Sequence, residues 1–299
     1  MYTYKGLYMN KFLATLLASF AIVAQAGDIT GAGASFPYPV YAKWAEGYKA
    51  ATGNSVNYQS IGSSGGIKQI DKKTVDFGAS DVARSQEELD KMGQIQFPMV
   101  MGGVVVVVNL PGVESNQLNL TLTQVADIFS SKITNWKDVQ AGLPDRPISI
   151  VHRSDGSGTT AIFTGYLAEA SADFKSTVGA GKSVNWKGNI VGGKGNAGVA
   201  AMVGNIKGAI GYVEYAYAKQ NGLTTTRING VEPSAAAFKS GEWTLTASTF
   251  IIVYPNGEKT QEVYKFFDWC YNNDAMAESL DYVALSDNTK AETRALWKK

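Results

Sequence analysis

Three short runs of glycine and small hydroxyl residues hold the groups best suited to chemistry in this chain. They are Gly31-Ala32-Gly33-Ala34-Ser35-Phe36, Gly62-Ser63-Ser64-Gly65-Gly66 and Asp155-Gly156-Ser157-Gly158-Thr159-Thr160. Each follows a strand-like pattern and precedes a helix-like one. A helix that opens on such a run aims unpaired N–H groups at whatever lies before it, with about half a positive charge from the aligned peptide dipoles. Glycine lets the backbone come close, and serine and threonine add hydroxyl donors. Singly, each run reads most simply as a tight turn between strand and helix. Together, with Arg153 just before the third run and Asp81 at the end of another strand, they describe a cage for a small oxyanion. Its uncharged donors are Ala34, Ser35, Phe36, Ser63, Ser157, Gly158 and Thr159.

Arg153 supplies the one full positive charge, and its planar fork suits an oxyanion. Asp155, two residues on, is placed to pair with it and hold the guanidinium still. Asp81 bears on which anion fits. A carboxylate facing an anion repels it unless the anion brings a proton to donate. Phosphate keeps at least one proton across physiological pH, and sulfate does not. Asp81 therefore gains a charge-assisted hydrogen bond from phosphate, whereas sulfate leaves two acceptors in contact. Sites that demand a hydrogen bond reject the analogue lacking it by about 10⁴–10⁵-fold. Arsenate, protonated like phosphate, passes the same filter. The competing reading makes Asp81 a plain cap for the helix after it, and spacing alone does not separate the two.

The elements that must position these groups alternate along the chain. Pro37 and Pro39 open a helix that ends before Gly53, with Val40, Trp44 and Tyr48 on one face. A strand at 55–58 leads into the second run, a helix with Ile67 and Ile70 follows, and Val75 to Asp81 forms the next strand. Ser85 with Glu88, and Thr121 with Gln124, are capping-box patterns. Val104 to Val108 is a continuous β-branched run, which predicts a strand buried on both faces of a parallel sheet. A strand at 148–153 ends in the third run, and Phe250 to Tyr254 is a further buried strand. Strand and helix in alternation mean an α/β fold with mainly parallel sheets.

About 270 residues follow position 26, more than the usual single domain of roughly 100–150, so two lobes are expected. The buried strands at 104–108 and 250–254 are candidate crossings between them. One lobe would then be discontinuous, 27–105 plus 249–299, and the other would be 106–248. Such a protein holds its ligand in the crevice at the carboxyl ends of the strands.

Lys5 and Lys11, the apolar run from Phe12 to Val23 and Ala24-Gln25-Ala26 read as a signal peptide cleaved after Ala26, with Met9 as an alternative start. The run is shorter than the ~20 residues that span a bilayer. Removing 1–26 takes away two lysines and no acid, leaving 25 basic against 26 acidic residues. A chain so near neutrality has no global field for nucleic acid or membranes. Any anion must be bound locally.

Cys270 is the only cysteine and sits on an apolar helical face, so it is expected in the core, without a disulfide. No cysteine marks the cleavage point for a lipid anchor. The single His152 alternates with Arg153 and is given a packing role; no Ser-His-Asp arrangement can be assembled. The lack of a Cys/His cluster argues against zinc or haem, and no cofactor is expected. Gly31-Ala32-Gly33 has Phe36 where a dinucleotide fingerprint has its third glycine, and Gly192-Gly193-Lys194-Gly195 is not followed by Ser or Thr as a phosphate loop would be. Lys194 therefore reads as a solvated turn lysine, and the tyrosines and tryptophans as core.

These segments, with Tyr41-Ala42-Lys43-Trp44, Val75-Asp76-Phe77-Gly78-Ala79-Ser80-Asp81, Gly192-Gly193-Lys194-Gly195-Asn196, Gly208 to Tyr215 and Phe266-Phe267-Asp268-Trp269, closely resemble the phosphate-binding proteins of bacterial phosphate ABC transporters. The resemblance runs in order over essentially the whole chain after the leader. It implies a type II, two-lobe periplasmic binding protein, a monomer that closes on inorganic phosphate and delivers it to membrane permease subunits without a chemical step. It assigns Ser35, Phe36, Ser63, Arg153, Ser157, Gly158 and Thr159 to the anion, Asp81 to its proton and Asp155 to the arginine. Three positions depart from the family pattern. Ser35 stands where threonine is frequent, Ser131 where glycine is common, and Arg84, expected either to tune the local field or to be exposed, where an apolar residue is usual. The rival readings are the same scaffold for arsenate, a secreted phosphatase using a loop serine, and a secreted adhesion protein.

Overall fold

The computed structural model describes residues 28–298, so the expected leader and its cleavage point lie outside the described residues. β1 (Ile29–Gly33), α1 (Tyr38–Thr52), β2 (Val56–Ser60), α2 (Ser63–Asp71) and β3 (Phe77–Ser80) follow the expected alternation. β1 pairs in parallel with both β2 and β3. Gly31 and Gly33 thus belong to a strand, and the first loop begins only at Ala34. α1 carries proline in its first turn and stops at Gly53, whose φ of 80° closes the last turn. α3 (Gln86–Met92) starts from the complete Ser85–Glu88 capping box and leads into β4 (Ile95–Val108).

β5 (Asn119–Leu120) and α4 (Leu122–Phe129) come next, α4 opening on the complete Thr121–Gln124 box. β6 (Ser149–Arg153), α5 (Gly158–Ala170), α6 (Ala172–Thr177), β7 (Ile190–Gly193), α7 (Gly195–Asn205) and β8 (Ala209–Glu214) repeat the alternation, with β6 parallel to β7 and β8. α8 (Tyr215–Gln220), β9 (Thr224–Thr225), β10 (Arg227–Ile228) and α9 (Ala235–Ser240) bring the chain back to β11 (Thr246–Val253). α10 (Thr260–Tyr271), α11 (Asp274–Glu278) and α12 (Asp287–Leu296) follow it.

The strands join in the order β2-β1-β3-β11-β4-β8-β6-β7. β4 is the shared member. Its first part, from Ile95 to Gly103, pairs with β11, and Val104 to Val108 pair with β8. That valine run is fully buried as expected, but its partners β8 and β9 are antiparallel to it. A continuous apolar run reports that both faces are covered; it carries no information on strand direction. The parallel pairs occupy the two flanks of the sheet and the antiparallel ones its middle.

The aromatic helix α10 seals one flank. Phe267 meets Phe77 and Phe97 edge-on, with ring centroids 5.0 and 5.7 Å apart, and Cys270 is buried beside them in the core. Among the described residues no helix is long and apolar enough to cross a membrane.

Candidate functional site

All three loops meet at the carboxyl ends of β1, β2 and β6. Ser63, in the first turn of α2, is their hub. Its Oγ accepts the Asp81 N–H at 3.2 Å and the Gly158 N–H at 3.1 Å, and its hydroxyl reaches Asp81 Oδ2 at 3.5 Å. Gly158 has to be glycine, because a Cβ there would stand 2.5 Å from Ser63 Oγ and 2.6 Å from Asp81. Gly62 is constrained twice over. Its φ is 86°, and a Cβ would lie 2.2 Å from Asp155 Oδ2.

Arg153, at the end of β6, is buried and gripped in a fork. Its Nε donates to Asp155 Oδ1 at 2.8 Å and its Nη2 to Oδ2 at 2.5 Å. Nη1 turns toward Thr159 Oγ1 at 3.4 Å. Burial works against the Asp155 charge, but the Arg153 hydrogen bonds and the Gly195 N–H hold its carboxyl below the ordinary value.

Asp81 is the opposite case. It is 4% exposed, its Oδ1 has no close hydrogen-bond partner among the described residues, and burial pushes its carboxyl up to about 7 against the pull of Arg153 and of the Thr249 hydroxyl. The capping reading for Asp81 does not hold, because Ser85 caps α3.

The first loop offers amides because its carbonyls are turned away. Tyr58, Tyr217 and Tyr282 donate their hydroxyls to three successive carbonyls, those of Ala34 (2.7 Å), Ser35 (2.6 Å) and Phe36 (2.6 Å). The amides of Ser35, Phe36, Ser63 and Thr159 have no intramolecular acceptor among the described residues. Ala34 differs: its N–H donates to Ala79 O at 3.0 Å, so it anchors the loop and has no donor left to offer. Ser157 Oγ caps α5 by accepting the Thr160 N–H at 3.0 Å, with its own proton still available.

Asn196, absent from the expected site residues, ties the cage together. Its Nδ2 reaches Ser35 Oγ (2.9 Å) and Thr159 Oγ1 (3.2 Å), and its Oδ1 accepts the Glu214 N–H (2.9 Å). The Gly-Lys-Gly-Asn segment was its signal in the sequence, although attention there falls on Lys194, which is exposed. His152 packs beside the Trp186 ring at 5.7 Å, clear of the cage.

The departures have structural accounts. Arg84 is neither exposed nor in the cage; it pairs with Asp71 at 2.5 Å and with Gln94 at 2.8 Å. Ser131 adopts φ 63°, which explains the preference for glycine there, and its Oγ donates to Lys187 O at 2.8 Å.

A sheet built in two flanks, with anion donors converging where their loops meet, defines a solute-binding protein of the two-lobe α/β class. The family model described as the PBP superfamily domain matches residues 21–274. The phosphate-binding protein PstS of Pasteurella multocida is 46% identical, covering 96% of this chain and 94% of its own length. That of Haemophilus influenzae is 46% identical over 92% of this chain and 94% of its own. Among solved structures, a high affinity periplasmic phosphate-binding protein, PfluDING, bound with phosphate, superposes with a TM-score of 0.74 at 22% identity, covering 90% of this chain and 93% of that one. The chain belongs to the PBP superfamily and, within it, to the family of the PstS phosphate-binding proteins.

Proposed function

We propose that this protein captures inorganic phosphate in the cage and hands it to the permease of a phosphate ABC transporter. The observation that carries the proposal is the pairing of opposites around one small space. Arg153, locked by Asp155, meets the negative charge of the anion, and Asp81, with a buried oxygen left unpartnered, meets its proton. The amides of Ser35, Phe36, Ser63 and Thr159 and the hydroxyls of Ser35, Ser63, Ser157 and Thr159 surround the remaining oxygens, and Gly158 lets the walls close. The names of the PstS relatives support the same ligand.

Asp81 and the ligand share the proton that lies between them, and the phosphate keeps a second. A dianion meeting the neutral acid and a monoanion meeting the carboxylate give the same complex, so capture works on both sides of pH 7. The bound anion undergoes no reaction, and no side chain is given a catalytic role.

The lobes are assigned to 27–105 plus 249–299 and to 106–248, hinged where β4 and β11 pass between them. The chain acts as a monomer in the periplasm after cleavage at Ala26; N-terminal sequencing of the exported protein should begin at Gly27. The deciding test is calorimetric titration of phosphate-stripped protein at pH 8. One-to-one binding of phosphate with no response to sulfate is expected. Equal binding of both, or of neither, overturns the proposal.

A further inference from the structure

Beside the cage opens a second concavity of about 360 Å³, walled by α2 and α3 on one side and by Lys182 on the other. It lies on the seam of the cage. Ser64, which lines it, donates its N–H to Gly156 O at 3.0 Å, and the Lys182 carbonyl accepts the Ser157 N–H at 2.9 Å.

Its charged lining is Lys68, Lys72, Arg84 and Lys182 against Asp71 and Glu88, an excess of two positive charges. Both carboxylates are engaged: Asp71 by Arg84 and Gln94, Glu88 by the Ser85 N–H and hydroxyl. Lys68, Lys72 and Lys182 have no ion-pair partner among the described residues. Lys182 is half-buried, and burial lowers its pKa although the charges of Glu88 and Asp81 work to raise it.

The formal net charge of the whole chain is only +1, so it projects little field of its own. A concave patch of one sign focuses field lines and raises the local concentration of the opposite ion, with association rates lifted about 10–10³-fold. We propose that this groove is an antechamber that gathers phosphate at the cage seam, with Lys182 the cation that draws it toward the cage. The inference rests on the reading of the cage as a phosphate site.

The test uses Lys182→Gln and Lys182→Arg. The dissociation constant is taken by calorimetry, the off-rate from exchange of radiolabelled phosphate, and the on-rate as their quotient. At ~10 mM salt, where the Debye length is about 30 Å, Lys182→Gln is expected to slow association about fivefold with the off-rate held within about twofold. At ~1 M salt, where it is about 3 Å, the difference should shrink below about twofold. Lys182→Arg should restore the rate.

The doubly substituted Lys68→Gln/Lys72→Gln protein removes charge from the opposite wall at two exposed positions and should slow association in the same salt-dependent way, whether or not Lys182→Gln folds. An unchanged on-rate in both, or a loss that is equal at both salt concentrations, overturns the antechamber. If the unsubstituted protein does not bind phosphate, it is the reading of the cage that fails instead.

Discussion

Asp155 and Asp81 stand on opposite walls of one cage, both within the influence of Arg153, and their carboxyls are driven in opposite directions. Asp155 receives two guanidinium hydrogen bonds and a backbone N–H, and these outweigh its burial. Asp81 has only a long contact with Ser63 and a weak pull from the Thr249 hydroxyl, with no close partner on Oδ1 among the described residues, so burial wins. Residue type is therefore a poor guide to charge in a closed site; the number and direction of donors decide it. The division suits an anion that carries both charge and a proton, since each wall meets one of them.

The largest change should come from Arg153→Ala, which abolishes the contrast by stripping Asp155 of its partner and the anion of its countercharge. Breaking a buried ion pair costs about 3–5 kcal/mol, so phosphate affinity in calorimetry should fall by about two to four powers of ten. A loss under tenfold would remove Arg153 from the cage.

Asp81→Asn tests the other wall. An amide can donate to an unprotonated oxygen, so the preference for phosphate over sulfate should fall at least about a hundredfold, a part of the about 10⁴–10⁵-fold that a demanded hydrogen bond commands. In the unsubstituted protein the filter should also depend on pH. Asp81 titrates near pH 7, so below that it is itself protonated and can donate to sulfate. Sulfate competition should therefore appear as the pH falls below 7, fade above it, and lose this dependence in Asp81→Asn. Discrimination that stays level with pH in the unsubstituted protein would separate Asp81 from specificity.

Gly158→Ala leaves both carboxyls in place and interferes only with the approach of the walls. Its Cβ would press on Ser63 and Asp81 at once. Phosphate affinity should drop about tenfold while the phosphate-to-sulfate ratio is kept. A collapse of the ratio instead would mean that the methyl displaces Asp81 rather than holding the lobes apart.

Much of this arrangement is readable from local pattern. The capping boxes at Ser85 and Thr121 need only four residues each, and the strand–loop–helix alternation places the glycine runs at strand ends wherever the sheet puts them. The direction of the valine strand was not legible, because an apolar run looks the same from either neighbour. Nor were the three tyrosine clamps. Tyr58, Tyr217 and Tyr282 lie 24, 182 and 246 residues from the carbonyls they hold, and each reads as ordinary core until the sheet order brings it to the first loop. Asn196 has the same character, since its three partners come from the first loop, α5 and β8. Arg84 shows how a local reading fails outright: close to Asp81 in the chain, it is spent on Asp71 and Gln94.

Glu214 offers the finest test of whether partners or burial set these carboxyls, because it is buried like Asp81 but makes no ion pair with an arginine among the described residues. Burial raises it from 4.5 to about 8, against the Ala216 N–H and the Tyr282 hydroxyl. Tyr282 has one proton and two acceptors, Phe36 O and Glu214 Oε2. A protonated Glu214 resolves the competition by donating to the tyrosine oxygen, which leaves the tyrosine proton for Phe36. Because the folded state then binds a proton that the unfolded chain has released, this contribution to stability is complete below pH about 4.5 and declines as the pH rises toward 8. The slope for one such group is about −1.4 kcal/mol per pH unit. Glu214→Gln supplies a permanent donor in place of the proton. Urea unfolding of the phosphate-free variant should therefore lose one such increment of slope across that window, while phosphate affinity stays within about twofold. A variant that keeps the full slope would show that Glu214 is charged in the fold, and that burial at the junction of β4 and β8 does not govern it.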